Sequence, residues 1–185
     1  MRDLRQWSLF LDRDGVINQR LPNEYVTHYD NFIFCEGVLQ ATAFFARTFQ
    51  HIVVVTNQQG IGKGLMTEAD LAAIHNQMKA DIENAGGRLD GIYACPHLAV
   101  EQSPLRKPNV GMAYLAKHDF PAIHFSHCFM VGDSYSDMVF GQRLGMVNVF
   151  IEGKEHEQSP DGLAHLRLPS LAAFATWVEN NSIKY

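Results

Sequence analysis

The sequence predicts an α/β protein, a Rossmann-like parallel sheet with helices on both faces, and three observations predict it. Short apolar runs rich in β-branched residues recur along all 185 residues, and runs of that length without alternation read as strands buried on both faces. Stretches with helical apolar spacing separate them. Strand–helix alternation gives a parallel sheet, and such a sheet binds ligands beyond the carboxyl ends of its strands.

The elements follow in order. Trp7 to Leu11 is the first strand, and residues 18–35 are an irregular flap. Glu36 to Phe49 carries apolar residues at 38, 39, 43, 44, 45 and 49, close to helical spacing. His51 to Thr56 is a second buried strand. Thr67 then caps a helix that has acids in its first turn and ends at Gly86-Gly87. Asp90 to Cys95, Ser126 to Val131 and Gly145 to Ile151 read as further strands. Val110 to His118, Ser136 to Leu144 and Leu171 to Glu179 read as helices, and the polar stretch Glu152 to Gly162 as a surface loop. Without repeats or low-complexity segments, residues 1–185 are expected to form a single domain with no large cap.

Composition bounds the function. With 46% hydrophobic and 19% charged residues the chain is that of a globular protein. A formal charge of −5 argues against a broad basic surface for nucleic acid or anionic membrane. Three cysteines, at 35, 95 and 128, make no disulfide framework and suit a reducing compartment. Apolar residues before Asp12 are too few for a signal peptide, and no run reaches a membrane span. A soluble, cytoplasmic monomer is expected.

Chemistry concentrates at the strand ends. Asp12-Arg13-Asp14-Gly15 follows the first strand, where two carboxylates one residue apart repel each other and resist desolvation. A hard divalent cation such as Mg²⁺, held by one or two carboxylates and a phosphate, gives a reason for that placement. A solvated Asp-Gly turn is the competing explanation. The second strand ends in Thr56-Asn57-Gln58-Gln59-Gly60-Ile61-Gly62-Lys63-Gly64, where a hydroxyl and free backbone N–H groups suggest a phosphate cradle. Arg106-Lys107-Pro108 sets two cations before a helix N-terminus, against the helix dipole, which points to an anionic partner. Gly132-Asp133 and Asp137 place two more acids at a strand tip and helix start. Helix capping accounts for Asp137 better than for Asp133. Each cluster alone is a modest signal, whereas their order on one rim of one sheet is specific.

That ordered set resembles the haloacid dehalogenase-like hydrolase superfamily, whose four motifs match Asp12-Arg13-Asp14-Gly15, Thr56, Lys107 and Gly132-Asp133 to Asp137. Phe10 to Asn18, Val54 to Ile61, Cys95-Pro96-His97 and Arg106-Lys107-Pro108 look like its subgroup of heptose 1,7-bisphosphate and histidinol-phosphate phosphatases. The resemblance implies a Mg²⁺-dependent phosphomonoester hydrolase acting through an aspartyl-phosphate, with a small phosphorylated metabolite as substrate. It implies Asp12 as nucleophile, Asp14 as general acid–base, and Thr56, Asn57 and Lys107 as phosphoryl ligands. Asp12, the Asp14 carbonyl and Asp133 would hold the metal, with Asp137 behind them or on Lys107. Arg106, Lys63 and Arg20 are candidates for the rest of the substrate, with Tyr25 and His97 around the mouth. Asp14 favours a phosphatase over a dehalogenase, and over a receiver-type signalling domain, which lacks an acid two residues beyond its phosphoacceptor. The subgroup usually carries a zinc loop, and here Cys95 and His97 supply only half of one, since residues 98–105 add no Cys or His. Zinc is therefore not expected, and the heptose assignment is weakened. Loops rather than a cap would cover the site, so a bulkier substrate, as in polynucleotide 3′-phosphatases, stays open.

Overall fold

The computed structural model describes residues 3–21, 24–152 and 162–182. Six strands, β1 (Ser8–Leu11), β2 (His51–Asn57), β3 (Gly91–Cys95), β4 (Cys128–Gly132), β5 (Val147–Ile151) and β6 (Leu166–Leu168), form one sheet. Its order is β3-β2-β1-β4-β5-β6 and every pair is parallel. The helices are α1 (Val38–Thr48), α2 (Glu68–Asn84), α3 (Gly111–Asp119), α4 (Tyr135–Arg143) and α5 (Leu171–Ser182).

Alternating strand residues sort into two cores because side chains on a strand point to opposite faces. Leu9, Leu11, Ile52, Val54, Phe129 and Val131 pack with α1, α2 and α5 on one face. Phe10, Val53, Val55 and Met130 pack with Met112, Ala113 and Ala116 of α3 and Phe140 of α4 on the other. A sheet buried this way explains why β1, β2 and β4 read as continuous apolar runs.

Strand order reverses direction between β1 and β4, the point where parallel sheets bind ligands. In register, Leu11 pairs with Val54 of β2 and Val131 of β4, so the residues that follow emerge side by side. The Asp12 N–H extends the ladder by donating to the Val131 carbonyl at 2.9 Å.

The predicted strands and helices are all present, with ends shifted by one to three residues. Helix α1 begins at Val38 rather than Glu36 because Gly37 adopts a left-handed φ of 73°. Strand β4 begins at Cys128 because Phe125–His127 forms a 3-10 turn. The exception is β6, which has no counterpart in the sequence reading. Most of the expected Glu152–Gly162 loop falls at 153–161, outside the described residues. Between β1 and α1 the described residues contain only a 3-10 turn at Tyr29–Asn31 and isolated bridges at Asn18, in keeping with a core that has no large cap.

Candidate active site

Asp12 sits at the tip of β1, buried, with Oδ1 accepting from the Arg13 N–H at 2.7 Å and paired with Lys107 Nζ at 2.9 Å. Lys107 is buried between two carboxylates. Its Nζ also lies 2.6 Å from Asp137 Oδ1 and donates to the Val55 carbonyl at 2.7 Å. The Asn57 side chain positions this lysine from behind, donating to the Lys107 carbonyl at 3.1 Å and accepting from its N–H at 3.0 Å. The conflict of Lys107 with the dipole of α3 is resolved by those acids.

Asp137 serves two partners. Its Oδ2 accepts from the Ser134 N–H and hydroxyl in a capping box that opens α4, while Oδ1 faces Lys107. Asp133, one residue beyond β4, pairs with Arg20 Nη2 at 3.0 Å. Gly15 makes the close approach possible: its φ is +87°, and a Cβ there would fall 1.9 Å from Asp133 Oδ2. Gly132 is restricted in the same way, since its Cβ would meet Asp137 at 2.3 Å.

Carboxylate oxygens of Asp12, Asp133 and Asp137 lie within 4.8 Å of one another, the only cluster of three such ligating residues among the described residues. Burial, then repulsion from Asp137, pushes the Asp12 carboxyl up to about 7 despite Lys107. Burial and Asp12 push Asp133 up to about 8, with Arg20 pulling against them. Burial disfavours the charged Lys107, but Asp12 and Asp137 outweigh it and raise its pKa. An oxygen-only donor set with surplus negative charge fits a hard cation such as Mg²⁺.

The Asp14 carboxylate is not part of that cluster. Arg13 Nη2 donates to both its oxygens, at 2.9 and 3.1 Å, Asn18 Nδ2 to Oδ1 at 2.9 Å and Gln58 Nε2 to Oδ2 at 2.7 Å. Burial works against ionisation, but Arg13, Asn18 and Gln58 prevail and hold the carboxyl below its ordinary range. The expected repulsion between Asp12 and Asp14 is thus met by separate cations, Lys107 for one and Arg13 for the other.

A cavity of about 670 Å³ opens above these acids, lined by Asp12, Asp14, Thr56, Asn57, Arg20, Lys63, Arg106 and Lys107 with Tyr25 and Tyr135. Thr56 Oγ1 is buried and accepts from Gln58 at 2.9 Å. Arg106 donates to the His97 carbonyl and Gln59 Oε1, and Lys63 lies 5.1 Å over the Tyr25 ring. Arg20, expected at the substrate, lines the cavity and pairs there with Asp133. The Gly-rich turn also differs from expectation. The N–H groups of residues 61–65 donate to the carbonyls of Gln58, Pro96, Gln59, Ile61 and Gly60, so they are not available as a phosphate cradle. Cys95 Sγ lies 3.6 Å from His97 Nδ1.

The chain is similar to known proteins in sequence and in structure. The family model described as polynucleotide kinase 3 phosphatase matches residues 9–159. A D-glycero-alpha-D-manno-heptose-1,7-bisphosphate 7-phosphatase from Mycobacterium tuberculosis is 38% identical over 180 residues, covering 94% of this chain and 92% of that protein. The chain belongs to the haloacid dehalogenase-like phosphatases. A Vibrio cholerae D-glycero-beta-D-manno-heptose-1,7-bisphosphate 7-phosphatase is 36% identical, covering 89% of this phosphatase and 91% of its own length. The crystal structure of a D,D-heptose 1,7-bisphosphate phosphatase from B. bronchiseptica, complexed with magnesium and phosphate, superposes with a TM-score of 0.85 at 29% identity, covering 95% and 99% of the two chains.

Three residues of this phosphatase's site escape the sequence reading. In the sequence Arg13 stands between two acids and Gln58 is one of a glutamine pair, and His75 lies on the buried, apolar face of α2. His75 Nε2 lies 3.1 Å from Arg13 Nη1. Sixty-two positions separate them, and only the fold brings them together.

Proposed function

We propose that this phosphatase removes one phosphate from a sugar bisphosphate of the D-glycero-D-manno-heptose 1,7-bisphosphate type, with Asp12 as nucleophile, Asp14 as acid–base and Mg²⁺ as cofactor. The observation that carries the reading is the charge layout of one cavity. Asp12 and Lys107 line it, with Asp133 and Asp137 clustered behind Asp12, and Lys63 and Arg106 line it as well. A substrate with two phosphates requires cations at two places, one at the reacting centre and one at a distance.

Asp12, the Asp14 carbonyl and Asp133 would hold Mg²⁺, with Asp137 adjoining. The ion's contribution is to draw charge from the phosphoryl oxygens. Lys107 and the Arg13 N–H both act on Asp12 Oδ1, which leaves Oδ2 to attack phosphorus. As the Oδ2–P bond forms, the bond from phosphorus to the sugar oxygen breaks and its electron pair leaves on that oxygen. Asp14 supplies the proton. In this structure the Asp14 carboxyl accepts four hydrogen bonds from three donor nitrogens, and the arriving phosphate charge raises its proton affinity so that it takes up a proton from solvent with the substrate. Asp14 then takes a proton from water, which attacks phosphorus, releasing inorganic phosphate and restoring Asp12. Lys107 and Thr56 orient the phosphoryl oxygens. Asn57 acts indirectly, by fixing Lys107.

Residues 1–185 work as one domain whose site is covered by loops. The relatives' names support the heptose substrate, and the family model's description supports a nucleic-acid 3′-phosphate as the second reading. The test is kcat/KM with Mg²⁺ over heptose 1,7-bisphosphate, a sugar monophosphate, histidinol phosphate and a 3′-phosphorylated oligonucleotide. Charge-assisted hydrogen bonds to the second phosphate should favour the bisphosphate over the monophosphate by about 10- to 100-fold. Equal rates on the two sugar phosphates, or a preference for the oligonucleotide, would exclude the heptose reading.

A further inference from the structure

We infer that His75 is a positioning residue for Asp14, acting through Arg13. The inference rests on the proposed role of Asp14 as proton donor and deepens it.

Arg13 is one of the largest side chains in the core, only 1% exposed although charged. A buried guanidinium is costly unless paired on more than one side. One side of Arg13 faces Asp14 through Nη2, and the other meets His75 through Nη1, while the Phe32 ring lies 5.9 Å from Cζ. Among the described residues Nε has no hydrogen-bond partner, so the polar contacts that orient the group are those to Asp14 and His75.

His75 is built for this one contact. A guanidinium only donates, so His75 Nε2 must be a bare acceptor and the imidazole proton must sit on Nδ1. Burial, then the Arg13 charge, pushes the His75 pKa down to about 3, so the ring stays a neutral acceptor at every working pH. The residue lies among Leu71, Ile74 and Met78 on the buried face of α2, where an aliphatic side chain would pack without a polar atom to satisfy. Without the His75 acceptor, Nη1 would be left unsatisfied in the core, and the guanidinium would turn toward another partner. The two-oxygen hold on Asp14 would be lost with it. Asp14 would then meet the leaving oxygen from an uncontrolled orientation, and proton transfer depends on such alignment.

The effect should be confined to substrates that need the proton. A sugar phosphate leaves as an alkoxide and needs it, whereas 4-nitrophenyl phosphate leaves as a stable phenolate and does not. The experiment measures kcat/KM for both in His75→Leu, His75→Asn, His75→Gln and Asp14→Asn, with thermal midpoints as a folding control. Asp14→Asn should lose at least about 100-fold on the sugar phosphate and far less on the aryl phosphate, the usual range for a general acid. His75→Leu and His75→Asn, whose shorter amide cannot reach Nη1, should lose about 10- to 50-fold on the sugar phosphate and less than about 3-fold on the aryl ester, a fraction of that range. His75→Gln, which puts an amide oxygen near the Nε2 position, should recover most of the loss. Equal losses on both substrates in a folded His75 variant, or no loss on either, would overturn the positioning role. His75→Asn takes the place of His75→Leu if the latter does not fold. Absence of leaving-group selectivity in Asp14→Asn itself would instead overturn the acid–base role of Asp14.

Discussion

Lys107 carries more of the site than any other single side chain. It pairs with Asp12 and Asp137 together, and all three side chains are buried. Removing one partner of a buried ion pair leaves the other charge unpaired, so Lys107→Met should destabilise the metal-free protein by about 3–5 kcal/mol in denaturant unfolding. A change under about 1 kcal/mol would mean that solvent already screens the pair. Gly15→Ala should act on the opposite edge. Its Cβ would displace the Asp133 carboxylate, so Mg²⁺ affinity measured by calorimetry should fall at least about 10-fold, and native affinity would show that Asp133 is not needed there. The acids and Lys107 were legible in the sequence because their residue types conflict with their local surroundings at strand and helix ends. Arg13, Gln58 and His75 were not. Arg13 and Gln58 stand beside stronger signals, and a histidine on an apolar helix face carries no mark of the arginine it will meet.

Two helices begin with the same capping box, and they differ in what the box holds. Thr67 caps α2 with Asp70 on the protein surface, while Ser134 caps α4 with Asp137 beneath the active site. Replacing either capping residue with alanine should cost about 1 kcal/mol of stability. Thr67→Ala should leave kcat/KM unchanged. Ser134→Ala should also lower kcat/KM, because Asp137 Oδ2 loses its hydroxyl donor and the carboxylate is held less firmly against Lys107. Equal kinetics in the two variants would separate the cap of α4 from the chemistry. At this scale the sequence was informative wherever an element was long or bounded by a turn. The runs of β1, β2 and β4, the Thr67 cap and the Gly86-Gly87 stop each gave an element near its observed place. Strand β6 could not be seen, since Leu166-Arg167-Leu168 is three residues at a sheet edge and is ordered by pairing with β5. Composition likewise gave no sign that the N–H groups of residues 61–65 would be taken up by carbonyls of the turn and of Pro96.

The molecule as a whole concentrates its negative charge where the three central strand tips converge, and this links its stability to pH and to Mg²⁺. Asp12 and Asp133 have folded-state pKa values of about 7 and about 8, above the roughly 4 of an unfolded aspartate. The folded state therefore binds more protons in this range. The stability these groups contribute is complete below about pH 4 and is lost as pH rises through 7 and 8. The thermal midpoint of metal-free protein should fall between about pH 6 and 8.5, and the increment from millimolar Mg²⁺ should grow over the same interval as the carboxylates ionise. An increment that stays flat would mean that these acids do not bind the ion. The central claim, covalent catalysis by Asp12, is tested most directly by quenching the enzyme in acid during turnover of its sugar phosphate with Mg²⁺ and mapping phosphorylated peptides by mass spectrometry. The phosphoryl group should be found on Asp12, and Asp12→Asn should show neither the adduct nor turnover while keeping or raising the metal-free thermal midpoint. Sustained turnover by folded Asp12→Asn, or a phosphoryl group on another residue in its place, would contradict it.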